Sequence, residues 1–161
     1  MASHPRSDPE HGPPRAGTGP LSQSEYEAIY ARVPRLTVEL VITSPLGVLL
    51  ARRTSGACQG LWNLPGGTVR YGERLADAVR RVGLDEVAVP VEVERLLGYI
   101  EYPSHLERGI DWPIGIAFLV GISPGAAPPV LADDLLAWFT VLPDAMHEEQ
   151  RTFLTTHVLG A

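Results

Sequence analysis

Apolar residues recur with two different periods along the chain, and these periods divide it into strands and helices. Short apolar runs predict strands near 35–43, 46–53, 91–102, 113–122 and 136–141. Helical spacing predicts helices over 22–32, 73–87 and 143–158, with Pro143 near the start of the last one. Strands followed by a helix, then strands and a helix again, predict an α/β fold in which helices cover a mixed sheet.

The predicted helix over 73–87 carries an acid on its apolar side. One stripe of this helix, at about 100° per residue, contains Leu75, Val79, Val82 and Glu86. A carboxylate that continues a buried stripe is costly unless a cation or several donors meet it. The alternative is that the helix frays after Gly83 and leaves Glu86 in solvent, since glycine costs about 1 kcal/mol inside a helix. We expect Gly66 and Gly67 to form the turn before this helix.

The segment from 66 to 89 resembles the Nudix box, a long pattern of fixed glycine, glutamate and arginine positions that ends in an acidic pair. The matching positions are Gly67, Glu73, Arg81, Asp85, Glu86 and Val89. The departures are Val82 for a glutamate, Gly83 for an aliphatic residue, Asp85 for a glutamate and Ala88 for a glycine. The resemblance covers residues 36–155 and implies a Nudix-type α/β/α sandwich.

The resemblance also implies a metal site. In the family, acids of the box helix and the carbonyl of the turn glycine hold Mg²⁺ or Mn²⁺ against a diphosphate, so Gly67, Asp85 and Glu86 are the expected ligands. Such hard ions prefer oxygen ligands and bridge to substrate phosphates. Because Val82 lies one turn before Glu86, it removes one of two aligned carboxylates. We therefore expect one ion, held by Glu86, the Gly67 carbonyl and substrate oxygens.

Three other residues of the box are expected to support the site. Arg81 lies four residues before Asp85 and pairs with it in the family, where the pair orients the acids; otherwise this is a surface ion pair worth about 0.5 kcal/mol. Glu73, near the helix start, favours the helix macrodipole and is expected to be structural, as is Gly66.

A box in which an aliphatic residue follows the arginine resembles the GDP-mannose mannosyl hydrolase branch of the family. An N-terminal helix and the Arg53-Thr54 pair extend this likeness, whereas Thr68 and Asp133 stand where that branch has an arginine and its base histidine. Asp133 and Asp134, at the mouth of the strand near 136–141, are the candidates for the base that activates water. Paired loop aspartates otherwise serve as turn or cap residues.

The loop between the strands near 91–102 and 113–122 is a candidate substrate lid. Tyr102, Asp111 and Trp112 are the expected substrate contacts, although Trp112 could equally cover a hydrophobic edge. His105 titrates near neutral pH but, as a lone loop histidine, is expected to be a bystander. Arg53, at a strand end, is the candidate for phosphate or base contacts, because arginine binds phosphate bidentately.

Composition limits the partners. The 13 basic residues, all arginine, against 19 acidic ones give a formal charge of −6 without a basic run, so neither nucleic acid nor an anionic membrane is an expected partner. A single cysteine, Cys58, excludes an internal disulfide and a cysteine-rich zinc site and fits a cytoplasmic location. Residues 1–20 are expected to form a disordered tail before a single domain over 21–161, which could dimerise through its N-terminal helix.

Two functions fit these patterns. The first is a Mg²⁺- or Mn²⁺-dependent hydrolase of a nucleoside diphosphate linked to another moiety, foremost a nucleotide sugar. The second is a nucleotide-binding or regulatory module that keeps the pocket without fast turnover. Glu86 and Arg81 favour the enzyme, which we expect, whereas Val82 and Gly83 favour the module.

Overall fold

The computed structural model describes residues 21–56, 58–132 and 134–160. The helices are α1 (Gln23–Tyr30), α2 (Leu75–Val82), α3 (Pro103–Glu107) and α4 (Glu148–Leu154). The strands are β1 (Arg35–Ser44), β2 (Gly47–Arg52), β3 (Trp62–Asn63), β4 (Gly66–Thr68), β5 (Val91–Glu101), β6 (Pro113–Ile122) and β7 (Leu136–Phe139). The predicted tail, residues 1–20, lies outside the described residues, and the single-domain boundary stays a prediction.

The strands form one mixed sheet, as the sequence pattern predicts. Its path runs β3-β2-β1-β6-β5, with β4 paired to β1 and β7 paired to β2. The β1–β6 pair is parallel and the other pairs are antiparallel. Within the described part of the chain, no helix has the length and apolar composition that crossing a bilayer requires.

Strand β1 lies at the centre of the sheet and separates two apolar cores. One core combines Val38, Leu40 and Ile42 of β1 with Ala78, Val79 and Val82 of α2. The other core joins Val41 of β1 to Leu50, Trp62, Phe153 and Leu154, the last two from α4. Successive side chains of a strand point to opposite faces, so α2 and α4 cover opposite faces of the sheet. The predicted α/β/α arrangement is confirmed.

The box helix differs from its prediction at its C-terminal end. It does not fray after Gly83 but widens into a π-helical turn, Gly83–Val87. The wider turn shifts the buried stripe by one residue, so Val87 is buried and Glu86 is exposed, contrary to the predicted stripe. A β-carbon on Gly83 would collide with the Val91 side chain, so the helix approaches β5 closely only because this position is glycine.

Two further element predictions are wrong. The C-terminal helix begins at Glu148, well after Pro143, and continues as a π-helical turn over Thr155–Leu159. The preceding segment is tied to β3, because the His147 amide donates to the Trp62 carbonyl at 3.0 Å, and this tie delays the helix start. The Gly66-Gly67 pair lies in β4, paired with β1, and not in a turn.

Ala88, where the Nudix box has its closing glycine, adopts φ 57° and ψ 25° after the π-helical turn. A side chain in this left-handed region costs roughly 1–2 kcal/mol. We therefore expect Ala88→Gly to raise the free energy of unfolding by about 1 kcal/mol in urea denaturation. Ala76→Gly inside α2 is the matched control and should lower it by about 1 kcal/mol. Equal destabilisation by both changes would contradict the strain assigned to Ala88.

Candidate functional site

A cavity of about 290 Å³ lies where β1, β2 and β4 meet α4 and the end of the box helix. Five residues predicted for the site line its wall: Gly66, Gly67, Arg53, Glu86 and Tyr102. The wall also contains residues that were not predicted to contribute to the site, namely Arg35, Thr37, Glu39, Asn63, His105, His147 and Gln150. The cavity therefore gathers acids, arginines and histidines from separate parts of the chain.

Glu39 is a buried acid in the middle of β1. Its Oε1 accepts a hydrogen bond from Thr37 Oγ1 at 2.7 Å, and its Oε2 accepts one from Gln150 Nε2 at 3.3 Å. Glu39 is the register partner of Gly66, and a β-carbon on that glycine would collide with Oε2. The first glycine of the pair thus leaves room for this carboxylate.

Burial raises the pKa of Glu39 to about 7. The increase is limited by hydrogen bonds from Thr37 and Tyr102 and by the charges of Arg35 and Arg53, which all favour the ionised carboxylate. A carboxyl group that titrates near neutral pH is suited to proton transfer, since general acid-base catalysis is most efficient when the pKa lies near the working pH. Perturbed groups of this kind concentrate at functional sites.

Gln150 of α4 fixes the floor of the cavity. Its Oε1 accepts a hydrogen bond from the Leu64 amide at 2.7 Å, and its Nε2 donates to the Tyr102 hydroxyl at 2.9 Å. Burial, followed by the Glu39 charge, raises the pKa of Tyr102 well above its usual value, so the phenol stays protonated. Tyr102, a predicted substrate contact, therefore lies in the wall and also supports Glu39.

Glu86 lies at the edge of the cavity and remains exposed to solvent. The surrounding protein raises its pKa by partial desolvation and the neighbouring Asp85 adds to this, whereas Arg53 opposes it. Since the charge of Arg53 lowers the pKa of both Glu39 and Glu86, this exposed guanidinium lies within electrostatic range of both acids. One positive and two acidic groups thus converge on the same space.

Arg81 does not line the cavity but joins the box helix to β4. Its guanidinium donates to Glu73 from Nε at 2.7 Å and from NH2 at 2.8 Å, and NH2 also reaches the Thr68 carbonyl at 3.0 Å. The expected pair with Asp85 is longer, at 3.5 Å. The main partner of Arg81 is therefore Glu73, whose pKa is lowered chiefly by this hydrogen bond.

Val82 occupies the position at which the box has a glutamate. It is buried, and a β-carbon on Gly67 would lie 2.8 Å from its Cγ2 atom. The valine therefore fills the space beneath β4 and contributes to the apolar core that α2 forms with β1. Val82 thus places no carboxylate against Gly67, whereas Glu39 supplies one beside Gly66.

Several predicted site residues lie away from the cavity wall. Asp85 is exposed and faces Arg81, and Asp134 is exposed. Asp111 pairs with Arg35 at 2.6 Å, and Trp112 lines a separate groove beside α1. Asp133 lies outside the described residues. The roles predicted for these five residues stay predictions.

The predicted lid loop contains a short helix, α3, and a buried histidine. The side chain of His105 is only 7% exposed. Its Nδ1 atom lies within hydrogen-bond distance of Asp111 Oδ1, at 2.7 Å. Burial would raise the pKa of Asp111, but the His105 hydrogen bond and the Arg35 guanidinium outweigh it and lower that pKa. His105 therefore belongs to a buried network and is not a bystander.

His147 directly precedes α4, and its ring faces that of His105 with the centroids 5.1 Å apart. Burial lowers the pKa of His147, and the neighbouring Glu149 opposes this change, so the imidazole is mainly neutral at neutral pH.

Nothing in the local sequence around His147 indicates that this residue lies in the cavity wall. For Glu39 a signal existed, because it interrupts an apolar run in a strand that is buried from Thr37 to Ile42.

Comparison with known proteins agrees with this fold. A sequence profile of the NUDIX domain matches residues 33–154. The low-salt glycan biosynthesis protein Agl8 of Haloferax volcanii is 43% identical over 93 residues, which make up 56% of this chain and 60% of that protein. The ADP-ribose pyrophosphatase of Methanocaldococcus jannaschii is 32% identical over 92 residues, 57% of this chain and 53% of that protein. The chain thus spans less than two thirds of the length of these curated relatives.

The crystal structure of a MutT NUDIX hydrolase from Burkholderia pseudomallei is similar to this chain with a TM-score of 0.64 and 26% identity, covering 79% of this chain and 99% of that one. The fold and site define an α/β/α protein with an acid-lined cavity beside a glycine pair. More particularly, because the profile covers most of the sequence, the chain belongs to the NUDIX domain family. The predicted family is confirmed, whereas the closer likeness to the GDP-mannose mannosyl hydrolase branch stays a prediction.

Proposed function

We propose that this protein is a divalent-metal-dependent hydrolase of a nucleoside diphosphate linked to another moiety, foremost a nucleotide sugar. The observation that carries the proposal is the convergence of Glu39, Glu86 and Arg53 on one cavity beside the Gly66-Gly67 pair. Two acids suit a cation and a proton transfer, and an arginine suits a phosphate. Members of this family act on small nucleotide-like substrates, and the cavity is of suitable size for a pyrophosphate group.

The residues around the glycine pair fit a hard divalent ion. Glu86 offers an exposed carboxylate and Gly67 a backbone carbonyl in the cavity wall. Asn63, also in the wall, has a buried Oδ1 atom without a hydrogen-bond partner. These oxygen donors are the type that Mg²⁺ and Mn²⁺ prefer. When bound, such an ion would neutralise diphosphate charge and stabilise the leaving group.

Glu39 offsets the acid that Val82 removes from the box. Its carboxylate lies beside Gly66, and its pKa of about 7 allows it to accept a proton from an attacking water. Arg53 is assigned to the phosphates. Asp134 and Asp133 remain the alternative bases.

The substrate class draws support from the relatives. One curated relative is named for glycan biosynthesis and the other is an ADP-ribose pyrophosphatase. ADP-ribose is a nucleoside diphosphate joined to a sugar, and glycans are built from sugars, so both names are compatible with a nucleotide sugar. The use of Mg²⁺ or Mn²⁺, a cytoplasmic location and dimerisation through α1 stay predictions.

A binding or regulatory module is the second candidate, and Val82 is the observation that favours it. The loss of a box carboxylate would reduce metal affinity while the cavity still accepts a nucleotide. Under this function, ligands would bind to stoichiometric protein without being cleaved.

A substrate screen separates the two candidates. We expect the full chain with Mg²⁺ or Mn²⁺ to cleave at least one nucleotide sugar faster than dinucleotides and nucleoside triphosphates, with the products measured by chromatography and phosphorus NMR. Reactions without metal and with Ca²⁺ serve as controls. Binding by calorimetry without cleavage of any compound would support the module and overturn the hydrolase.

A further inference from the structure

Three buried side chains bring soft and borderline metal-binding atoms together beside the cavity. Cys58 Sγ lies 3.5 Å from His105 Nε2 and 3.8 Å from His147 Nε2, and the two Nε2 atoms are 2.9 Å apart. The three residues, called here the Cys58–His105–His147 cluster, are 4%, 7% and 6% exposed. They come from the segment between β2 and β3, from α3 and from the residue before α4, so only the fold unites them.

Two neutral imidazoles cannot satisfy all the polar atoms of this cluster at once. The Asp111 carboxylate only accepts, so His105 Nδ1 carries a hydrogen, and in the neutral form of the ring Nε2 presents a lone pair. If His147 is protonated at Nδ1, toward Glu149 Oε2 at 3.0 Å, two lone pairs face each other across 2.9 Å. If it is protonated at Nε2 instead, its Nδ1 lone pair faces the carboxylate. Consistent with this conflict, His147 Nδ1 and Glu149 Oε2 are buried without a properly oriented hydrogen bond.

We infer that the Cys58–His105–His147 cluster binds one borderline divalent cation, of which Zn²⁺ is the type. With Zn–N near 2.05 Å and Zn–S near 2.3 Å, a tetrahedral site places its nitrogens about 3.3 Å apart and its sulfur about 3.6 Å from each nitrogen. The observed separations of 2.9, 3.5 and 3.8 Å lie close to these values. Only the two imidazoles have to separate, by about 0.4 Å.

Carboxylates behind both histidines are arranged as in metal sites. A metal-bound imidazole commonly directs its other nitrogen at a carboxylate, which fixes the ring and increases its basicity. Asp111 does this for His105 and is itself held by Arg35 at 2.6 Å. Glu149 lies behind His147 and accepts a hydrogen bond from the Ser104 amide at 2.9 Å. Both carboxylates are therefore anchored independently of the histidines.

The cluster differs in chemistry from the proposed magnesium site. A thiol and two imidazoles select zinc-like ions, whereas Glu86 and backbone oxygen select hard ions. Binding would displace the thiol proton of Cys58 to solvent, so uptake of Zn²⁺ releases a proton. Because both imidazoles line the cavity wall, water can complete the coordination. The inference does not depend on the hydrolase proposal.

Metal uptake by the full chain tests the inference. After chelator treatment, we expect one Zn²⁺ per chain by equilibrium dialysis and mass spectrometry, and a melting temperature raised by at least about 4 °C with Zn²⁺ but not with Mg²⁺. Co²⁺ should give a thiolate-to-metal charge-transfer band in the near ultraviolet. The cobalt spectrum needs no variant, so it tests the site even if a substitution impairs folding.

Matched variants assign the site to these residues. Cys58→Ser should abolish the charge-transfer band, and His105→Gln and His147→Gln should each weaken Zn²⁺ binding at least about tenfold. His157→Gln, an exposed histidine, and Glu86→Gln should bind Zn²⁺ as the unmodified chain does. No saturable Zn²⁺ uptake, or a cobalt spectrum unchanged by Cys58→Ser, would overturn the inference.

Discussion

Replacing Glu39 by glutamine is expected to stabilise the protein at neutral and alkaline pH while reducing turnover. The folded carboxyl has a pKa of about 7 against an ordinary value of 4.5, so between these pH values the folded chain holds a proton that the unfolded chain has released. Stability from this group is therefore present below pH 4.5 and is lost as the pH rises through 7. At about 1.4 kcal/mol per pKa unit, the full loss amounts to about 3 kcal/mol.

The variant removes this loss because glutamine stays neutral and keeps the shape of the side chain. The difference in unfolding free energy between Glu39→Gln and the unmodified chain should grow by about 3 kcal/mol from pH 4.5 to about pH 8, measured by urea denaturation. Glu107→Gln, at an exposed position, should show no such growth. A pH-independent difference for Glu39→Gln would show that the carboxyl is not held protonated in the fold.

Turnover provides the second measurement on the same variant. If Glu39 transfers the proton of the attacking water, Glu39→Gln should lower kcat by about 10²–10⁴-fold and remove the ascending limb of the pH profile near 7. Unchanged turnover would transfer that role to Asp134 or Asp133. Asp134→Asn and Asp133→Asn, measured in parallel, separate these alternatives.

Glu86→Gln is expected to abolish most metal-dependent turnover without affecting the fold. The residue is exposed, so its substitution removes no packed core atoms. As the proposed carboxylate ligand, however, it contributes to transition-state charge stabilisation worth several kcal/mol, which corresponds to a loss of about 10²-fold or more in kcat/KM. Steady-state assays over a range of Mg²⁺ concentrations, with circular dichroism for the fold, measure both effects.

Two companion variants make the Glu86 result specific. Glu86→Asp keeps the charge and should retain partial activity with a higher Mg²⁺ requirement. Glu94→Gln, an exposed acid of β5, should leave turnover unchanged. If Glu86→Gln retains full activity at every metal concentration, Glu86 has no part in the mechanism, and the hydrolase proposal loses its principal ligand.

The site residues that were predicted from the box lie close together along the chain. Gly67, Glu73, Arg81 and Glu86 lie within one stretch of strand and helix, and a helix of known period fixes which of them can meet. The prediction failed where a single residue altered that period. The π-helical turn at Gly83 moved Glu86 from the buried stripe to the edge of the cavity, and the absence of a side chain at Gly83 allows this turn to approach Val91 closely.

The site residues that were not predicted are brought together by packing between segments that are far apart in the sequence. Glu39 meets Gln150 across 111 positions of sequence, and Cys58 meets His147 across 89. No pattern of hydrophobic and polar residues specifies such pairs, because each depends on how α4 lies against the sheet. The raised pKa of Glu39 has the same origin, since it follows first from burial.

The sequence by itself determined the order of five strands and three helices through their periodicity, and its resemblance to the Nudix box indicated the family and the box residues. The tertiary structure decided which acids share the cavity, that Arg81 pairs mainly with Glu73, and that His105 is buried beside His147 and Cys58. Those outcomes depend on the distances between groups remote in the chain, and only the packing of α2 and α4 on opposite faces of the sheet sets those distances.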